Sequence, residues 1–240
     1  MTAKIRLCVD HPLGTGQSVA LTEAQAHYLF GVMRLGAEAR ILLFNGRDGE
    51  WLARIAVAGK RGGSAECLEQ TAPQRMPPDL WLVFAPIKKA RTDFIVEKAV
   101  ELGVARILPV QTEFTNAERI RQDRLQSHAV EAAEQCGATH VPVVEDLTTL
   151  EKLLARWDAG RRILWADEAR VGAATSLAGA EPGPWAILIG PEGGFSPSER
   201  RRLAALPFVT PVSLGPRILR ADTAACAALT LWQASLGDWR

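Results

Sequence analysis

The chain has 240 residues, 48% hydrophobic and 23% charged, a profile that excludes a disordered, collagen-like or coiled-coil protein. A chain of this length holds one large or two small domains and buries enough apolar surface to fold without disulfides or a structural metal. With 28 Lys and Arg against 27 Asp and Glu the net charge is +1, so any basic surface that meets a nucleic acid must be local. Cys8, Cys67, Cys136 and Cys226 lack metal or CxxC spacing and read as free, mostly buried thiols of a reducing compartment. His11, His27, His128 and His140 form no metal-ligand pair on one element. Lys4, Arg6 and Asp10 interrupt the start, which excludes a signal-peptide core, and no apolar run reaches the ~20 residues of a membrane helix. The expectation is a soluble cytoplasmic protein with neither metal nor membrane partner.

In chain order, residues 22–34 suggest one short helix with Thr22 as N-cap. Residues 40–44 run into a turn at 45–49 that carries two glycines. Residues 51–57 then alternate, with Trp51, Ala53, Ile55 and Val57 on one side, so a β-hairpin is predicted. The first ~70 residues thus read as a small β-rich barrel or sandwich. Three prolines within 71–79 forbid a continuous helix and mark a connector, placing a boundary between domains 1–72 and 73–240. Beyond it, strands at 80–85, 105–110, 141–144, 162–166, 185–189 and 209–214 alternate with helices at 91–102, 117–136 and from about 222 to 234. Gly103 and Gly137 end the first two of these helices, and 177–184 reads as a surface loop. The alternation predicts an α/β domain with a mainly parallel sheet.

Two glycine turns carry the chemistry. In the first, the apolar strand ending at Ile189 runs into Gly190, Pro191, Glu192, Gly193 and Gly194. Ser196, Pro197 and Glu199 follow as the cap, first position and capping box of a helix. Parallel-sheet enzymes bind ligands at such strand-to-helix turns, and glycine lets a ligand reach the backbone. The glycine spacing matches neither GxGxxG nor the P-loop, which argues against classical nucleotide sites. The second turn runs Leu214, Gly215, Pro216, Arg217, Ile218, Leu219, Arg220. Ile218 and Leu219 suit an apolar ring, Arg217 and Arg220 a carboxylate or phosphate, and Asp222 or Thr223 the cap of the last helix.

These two turns, the second continued by Asp222, Thr223 and Ala224, resemble the C-terminal signatures of the RsmE family, bacterial 16S ribosomal RNA (uracil-N3)-methyltransferases of the SPOUT superfamily. His27-Tyr-Leu with Val32-Met-Arg34, residues 98–104 and residues 131–137 extend the resemblance along nearly the whole chain. It implies an N-terminal PUA-like β-barrel that binds RNA, and a C-terminal α/β domain with a trefoil knot. It also implies a homodimer, and S-adenosylmethionine held by backbone groups of three loops, 165–168, 189–194 and 214–219. The implied cofactor-binding residues are Trp165, Ile189, Gly190, Pro191, Glu192, Gly193, Gly194, Leu214, Gly215, Arg217, Ile218, Leu219, Thr223 and Ala224. Two positions depart from the family. Ala221-Asp222 stands where Thr-Glu is common, which shortens a carboxylate, and Ala138 follows Cys136-Gly137 where an arginine is frequent.

Methylation of uridine N3 removes an imide proton and builds negative charge on the base oxygens, which an arginine can stabilise. The catalytic candidates are Arg220, toward the target nucleotide or its phosphate, and Glu192, as loop orienter or proton acceptor. N3 lies on the pairing edge, so the target must be unpaired or flipped out. Arg6 and Arg34 in the first domain, and Lys88, Lys89, Arg91 and Lys98 around the first helix of the second, are the RNA-binding candidates. Arg119, Arg121, Arg124 and residues 200–202 read as solvated surface. The partner implied is 16S rRNA or the small ribosomal subunit. The alternatives are a related enzyme acting on a ribose 2′-hydroxyl or another base, and a non-catalytic RNA-binding assembly factor.

Overall fold

The computed structural model describes residues 5–59, 61–117, 119–169, 177 and 179–239. It divides into two compact units, Met1–Met76 with Ala133–Val141, and Pro77–Ala132 with Pro142–Arg240.

The first unit is built on β1 (Arg6–Cys8), β2 (Ser18–Leu21), β3 (Arg40–Phe44), β4 (Glu50–Gly59) and β5 (Gly62–Ala72), hydrogen-bonded in the order β1-β3-β4-β5-β2. Only β1 and β3 are parallel. One face of all five strands joins Leu29 in a single core that includes Leu7, Val19, Ile41, Leu43, Ile55 and Ala65. The hairpin predicted from alternation is present, with Arg40 opposite Arg54 and Phe44 opposite Glu50. Ala53 and Ile55 are buried as expected, but Val57 is 58% exposed. The β4–β5 ladder slips between Ile55 and Val57, and a bulge turns the next side chain outward.

Thr22 caps α1 (Glu23–Ala26) through a capping box with Gln25. The helix then widens into a π-helical stretch, His27–Val32, short of the expected end at 34. The His27 ring lies about 3.1 Å from where a Cβ on Gly31 would stand, so a side chain there would press on the ring. Arg34 takes a left-handed φ of 55°. Arg6, an RNA-binding candidate, is engaged inside this unit. It donates to Glu50 Oε2 at 2.6 Å and to the carbonyls of Ala133, Glu134 and Ala138 at 2.6–2.9 Å.

The second unit carries β6 (Leu80–Phe84), α2 (Lys89–Glu101), β7 (Arg106–Gln111), α3 (Gln122–Cys136, its last residues counted with the first unit), β8 (Val143–Val144), β9 (Thr148–Thr149) and α4 (Leu150–Ala155). Then come β10 (Arg162–Ala166), β11 (Trp185–Ile189), α5 (Pro197–Ala204), β12 (Val209–Val212) and α6 (Ala221–Leu236). All seven strands are parallel, in the order β12-β10-β11-β6-β7-β8, with β9 also on β7. Prolines mark its irregularities. β8 pairs with Arg106 and Ile107, and β9 with Val110 and Gln111, so the break between them faces Pro109, which has no N–H to donate. Pro211 lies on the edge strand β12, where a missing donor does least harm.

On one face of the sheet Val83, Leu108, Ile163, Trp165, Leu188, Phe195 and Leu203 pack with α4 and α5. α2 and α6 pack on each other, with Gln233 Nε2 donating to the Leu102 carbonyl at 2.6 Å. α3 opens at Gln122, five residues later than expected, with the Arg121 carbonyl accepting from Leu125 N. α4 was not anticipated, because six residues are too few for a helical period to show. Residues 177 and 179–184 contain neither helix nor strand, and residue 178 lies outside the described residues.

Candidate active site

Because β12, β10 and β11 are parallel neighbours, the loops that follow them leave the same carboxyl edge of the sheet side by side. Between the loops after β10 and β12 lies a small hollow of about 50 Å³, bounded also by the first turn of α6. Its walls are Ala166, Asp167, Glu168, Val212, Leu214, Gly215, Arg217, Ile218, Leu219 and Ala224. Gly215 has a φ of +116°, open to glycine, and nothing stands within 4 Å of the space a side chain would take. The N–H groups of Arg217, Ile218 and Leu219 find no acceptor among the described residues. Ile218 is 77% exposed, unusual for its size. Free main-chain donors beside apolar side chains suit a ligand with a flat ring and a polar edge.

The loop after β11 stands differently. Of its glycines only Gly194 has a positive φ, +71°. A Cβ on Gly190 would lie 2.6 Å from the Phe195 ring, and one on Gly193 3.1 Å from Phe114. A side chain at Gly190 would strike the Phe195 ring and one at Gly193 would press on Phe114, so these two glycines also serve packing within the protein. Ser196 and Glu199 form the predicted capping box, with Glu199 N donating to Ser196 Oγ at 3.3 Å and Ser196 N to Glu199 Oε2 at 2.9 Å. The same box fixes the direction in which the chain leaves the loop.

Arg200, on α5, fastens the loops together. Its guanidinium meets Asp167 at 2.8 Å and Glu168 at 2.9 Å, while Glu168 also accepts from Phe195 N at 3.3 Å. Asp167 is buried, and a buried carboxylate needs such a partner. The expectation that Arg200 is solvated surface is corrected by these contacts. Asp167, Glu168, Ala166 and Val212 were not singled out as site residues, although the loop 165–168 was. The signal available was position alone, since Asp167 and Glu168 directly follow a legible strand, and Ala166 and Val212 end strands.

Of the cofactor-binding candidates, Leu214, Gly215, Arg217, Ile218, Leu219 and Ala224 line the hollow. Trp165 does not. Its indole is buried edge-on against Phe195, 5.7 Å between ring centres, on the face covered by α4 and α5. Strand alternation sends its side chain to that face, so only its main chain faces the loop region. Ile189 and Pro191 are buried, Glu192 and Gly193 exposed, and none of residues 189–194 lines the hollow. Thr223 is exposed in the first turn of α6. The last helix is capped at Arg220 without a side-chain bond, not by Asp222 or Thr223. Asp222 instead receives a hydrogen bond from Arg91 on α2 at 2.7 Å.

Arg217 and Arg220 are exposed and have no ion-pair partner among the described residues, and the same holds for Lys88 and Lys89. Lys98 is held by Glu101 at 2.7 Å. Among the described residues no group of His, Cys, Asp and Glu is placed to hold a metal ion, and no helix is long and apolar enough to cross a membrane.

A family model described as an RNA methyltransferase domain matches residues 74–233, and one described as an RNA methyltransferase PUA domain matches residues 21–66. The ribosomal RNA small subunit methyltransferase E of Rickettsia conorii is 30% identical over 231 residues, 93% of each chain. The protein of that name from Bacillus subtilis is 28% identical over 88% of each. Among solved structures, ribosomal RNA small subunit methyltransferase E from Neisseria gonorrhoeae, bound to S-adenosyl methionine, superposes with a TM-score of 0.88 at 28% identity, covering 98% of this chain and 99% of that one. The PUA-like first unit, the parallel α/β second unit and these likenesses over nearly the full length agree: the chain belongs to the ribosomal RNA small subunit methyltransferase E family.

Proposed function

We propose that this protein methylates N3 of a uridine in 16S ribosomal RNA of the small subunit, with S-adenosylmethionine as donor. The observation that carries the reading is the hollow at the carboxyl edge, where unpaired main-chain donors and an open Gly215 meet Arg217, with the exposed Arg220 next in the chain to the lining residue Leu219. The hollow's residue types suit the adenine end of the donor, which is larger than the hollow of about 50 Å³ and widens it on binding. Val212, Leu214, Ile218 and Leu219 offer apolar contact to the adenine ring, and the N–H groups of Arg217, Ile218 and Leu219 offer hydrogen bonds to its polar edge. Asp167 and Glu168 place negative charge beside a cationic ligand. Ala224 lines the hollow at the start of α6, and residues 189–194, on the loop after the neighbouring strand β11, complete the proposed donor site together with Thr223 from outside the hollow. When bound, S-adenosylmethionine supplies an electrophilic methyl group.

The chain's own groups hold the base and handle its proton. Arg220 stabilises charge that builds on the uracil oxygens as N3 loses its proton. Glu192, exposed on the neighbouring turn, receives that proton or orients the turn. Arg34, Lys88 and Lys89 meet RNA phosphates, while Arg6 and Arg91 act from within by fixing the elements they bridge, and Lys98 pairs with Glu101 inside α2. The first unit, close to residues 1–72, binds RNA, and residues 73–240 carry the reaction. The chain works as a homodimer with a trefoil knot in its second unit. The knot is supported by α6, which leaves the edge strand β12 yet packs on β11 and α2. Four free thiols fit the reducing cytoplasm where ribosomes are made.

The test is methyl transfer onto small subunits from cells lacking this protein, with the modified nucleoside identified by mass spectrometry. N3-methyluridine is the expected product, and a 2′-O-methyl nucleoside or no transfer overturns the reading. In Arg220→Ala, turnover should fall on the order of a hundredfold while donor affinity by calorimetry stays within about threefold. Unchanged turnover would remove Arg220 from the chemistry.

A further inference from the structure

A second cavity, about 260 Å³ in volume, opens at the same sheet edge where β6 gives way to α2. Pro86 and Ile87 wall one side, and Ala117, Ile120 and Leu125, at the approach to α3, the other. Of the described charged residues that line it, Lys89, Arg119, Arg121 and Arg124 are basic and Asp93 is acidic. That acid is already neutralised, since Arg124 pairs with it and His128 Nε2 stands 3.7 Å away. Arg121 pairs with Asp123. Lys89 and Arg119 are exposed and have no ion-pair partner among the described residues, so the described residues at the mouth carry net positive charge. The first turn of α2 holds no carboxylate and its cap no side-chain bond, which leaves the positive end of the helix dipole facing the same mouth.

An apolar slot with a cationic mouth suits a flat ring joined to a phosphate. Its volume falls just below the roughly 300 Å³ at which pockets for drug-sized molecules begin, room for one nucleotide and not a longer segment. The hollow for the methyl donor lies at the same edge, and the Arg91–Asp222 pair stands between them. Arg91 adjoins Thr92 of the cavity wall, and Asp222 lies two residues before Ala224 of the hollow.

We infer that this cavity holds an unpaired nucleotide of the substrate RNA close to the one methylated, its base between Ile87 and Ile120 and its phosphate at Lys89 and Arg119. Resting on the RNA reading above, the inference assigns Ile120 to substrate recognition together with Arg119, for which sequence suggested solvated surface. It also explains why an apolar slot is left open beside a reaction edge. A neighbouring base held there keeps the strand unstacked, which a reaction on the pairing edge requires.

The experiment uses the full chain and unmethylated small-subunit rRNA. Two variants are compared with wild type: Lys89→Glu with Arg119→Glu, which reverses the mouth, and Ile120→Trp, which fills the slot. Both should raise the KM for RNA at least about tenfold, with donor affinity by calorimetry within about twofold of wild type. RNA affinity unchanged in both variants overturns the inference. So does micromolar binding of uridine 5′-monophosphate that RNA fails to compete, which would mark a site for free nucleotides. Normal RNA affinity with lost binding to assembled subunits would hand the cavity to a protein partner and equally overturn it. A wild type that transfers no methyl group to RNA breaks the underlying reading instead, and RNA binding by the variants then still decides the cavity.

Discussion

The Arg200 guanidinium lies against Asp167 and Glu168 and within 5.3 Å of the Trp165 ring, so one side chain on α5 anchors the loop after β10 and, through Glu168, the Phe195 main chain. Arg200→Ala takes the Arg200 ion pair from the buried Asp167, which keeps the hydrogen bond from Ala169 N. A loss of about 2 kcal/mol in unfolding free energy is expected, together with donor affinity weakened about tenfold. Urea unfolding and calorimetry measure the two. Gly194 is bound to the same knot of contacts, for a Cβ there would lie 2.5 Å from Glu168 Oε1 and the φ of +71° strains any other residue. Gly194→Ala should lose on the order of 1–2 kcal/mol, and a variant as stable as wild type would show that Glu168 can move. In the first unit, burial and then the Glu134 carboxylate push the Cys8 thiol up from 9.0 to about 11. A raised folded-state value means full stability below about pH 9, lost progressively as pH climbs toward 11, because the unfolded chain ionises first. Cys8→Ala should remove part of that alkaline loss, on the order of 1 kcal/mol after discounting for partial solvent exposure. Denaturation curves at pH 8 and 10.5 read the difference.

At the scale of elements, α5 shows how a short helix is specified. Ser196, Pro197 and Glu199 set its start, and the structure contains the reciprocal bonds they call for. Ser196→Ala should destabilise the chain by about 1 kcal/mol, as thermal denaturation would show, and should loosen the loop after β11 that the cap directs. Such signals act over three or four residues, and that range decides what was legible. The hairpin of β3 and β4, the parallel strands β6, β7, β10 and β11, and the cap of α5 all rest on local pattern, and all are present. Val57, the late start of α3 and the six residues of α4 were not legible. A bulge, a first turn without a capping motif and a helix shorter than two turns leave no periodic trace. The same limit governs the site. Leu214 to Leu219 were found because glycine and arginine cluster in one turn. Asp167 and Arg200 escaped because their meaning lies in a contact across 33 residues, which spacing does not encode.

For the molecule as a whole, the net charge of +1 gives RNA little long-range attraction, so affinity must come from the few cations that no carboxylate has claimed. In the second unit Arg91, Arg106, Lys98, Arg124, Arg161, Arg200 and Arg202 are each tied to an acid. Lys88, Lys89, Arg119, Arg217 and Arg220 are exposed without such a tie among the described residues, as are Lys152, Arg156, Arg162 and Arg201, and the first five belong to the loops and helix starts at the carboxyl edge. Each phosphate neutralised on a single strand contributes roughly −0.7 to the slope of log affinity against log salt. If these five make the contacts, RNA binding measured between about 50 and 200 mM salt should show a slope of roughly −3.5. Donor binding, which relies on main-chain donors and apolar contact, should stay nearly flat over the same range. Charge reversal at Lys89 and Arg119 should flatten the RNA slope by roughly 1.4, and a slope that stays at the wild-type value would place the phosphate contacts elsewhere on the protein.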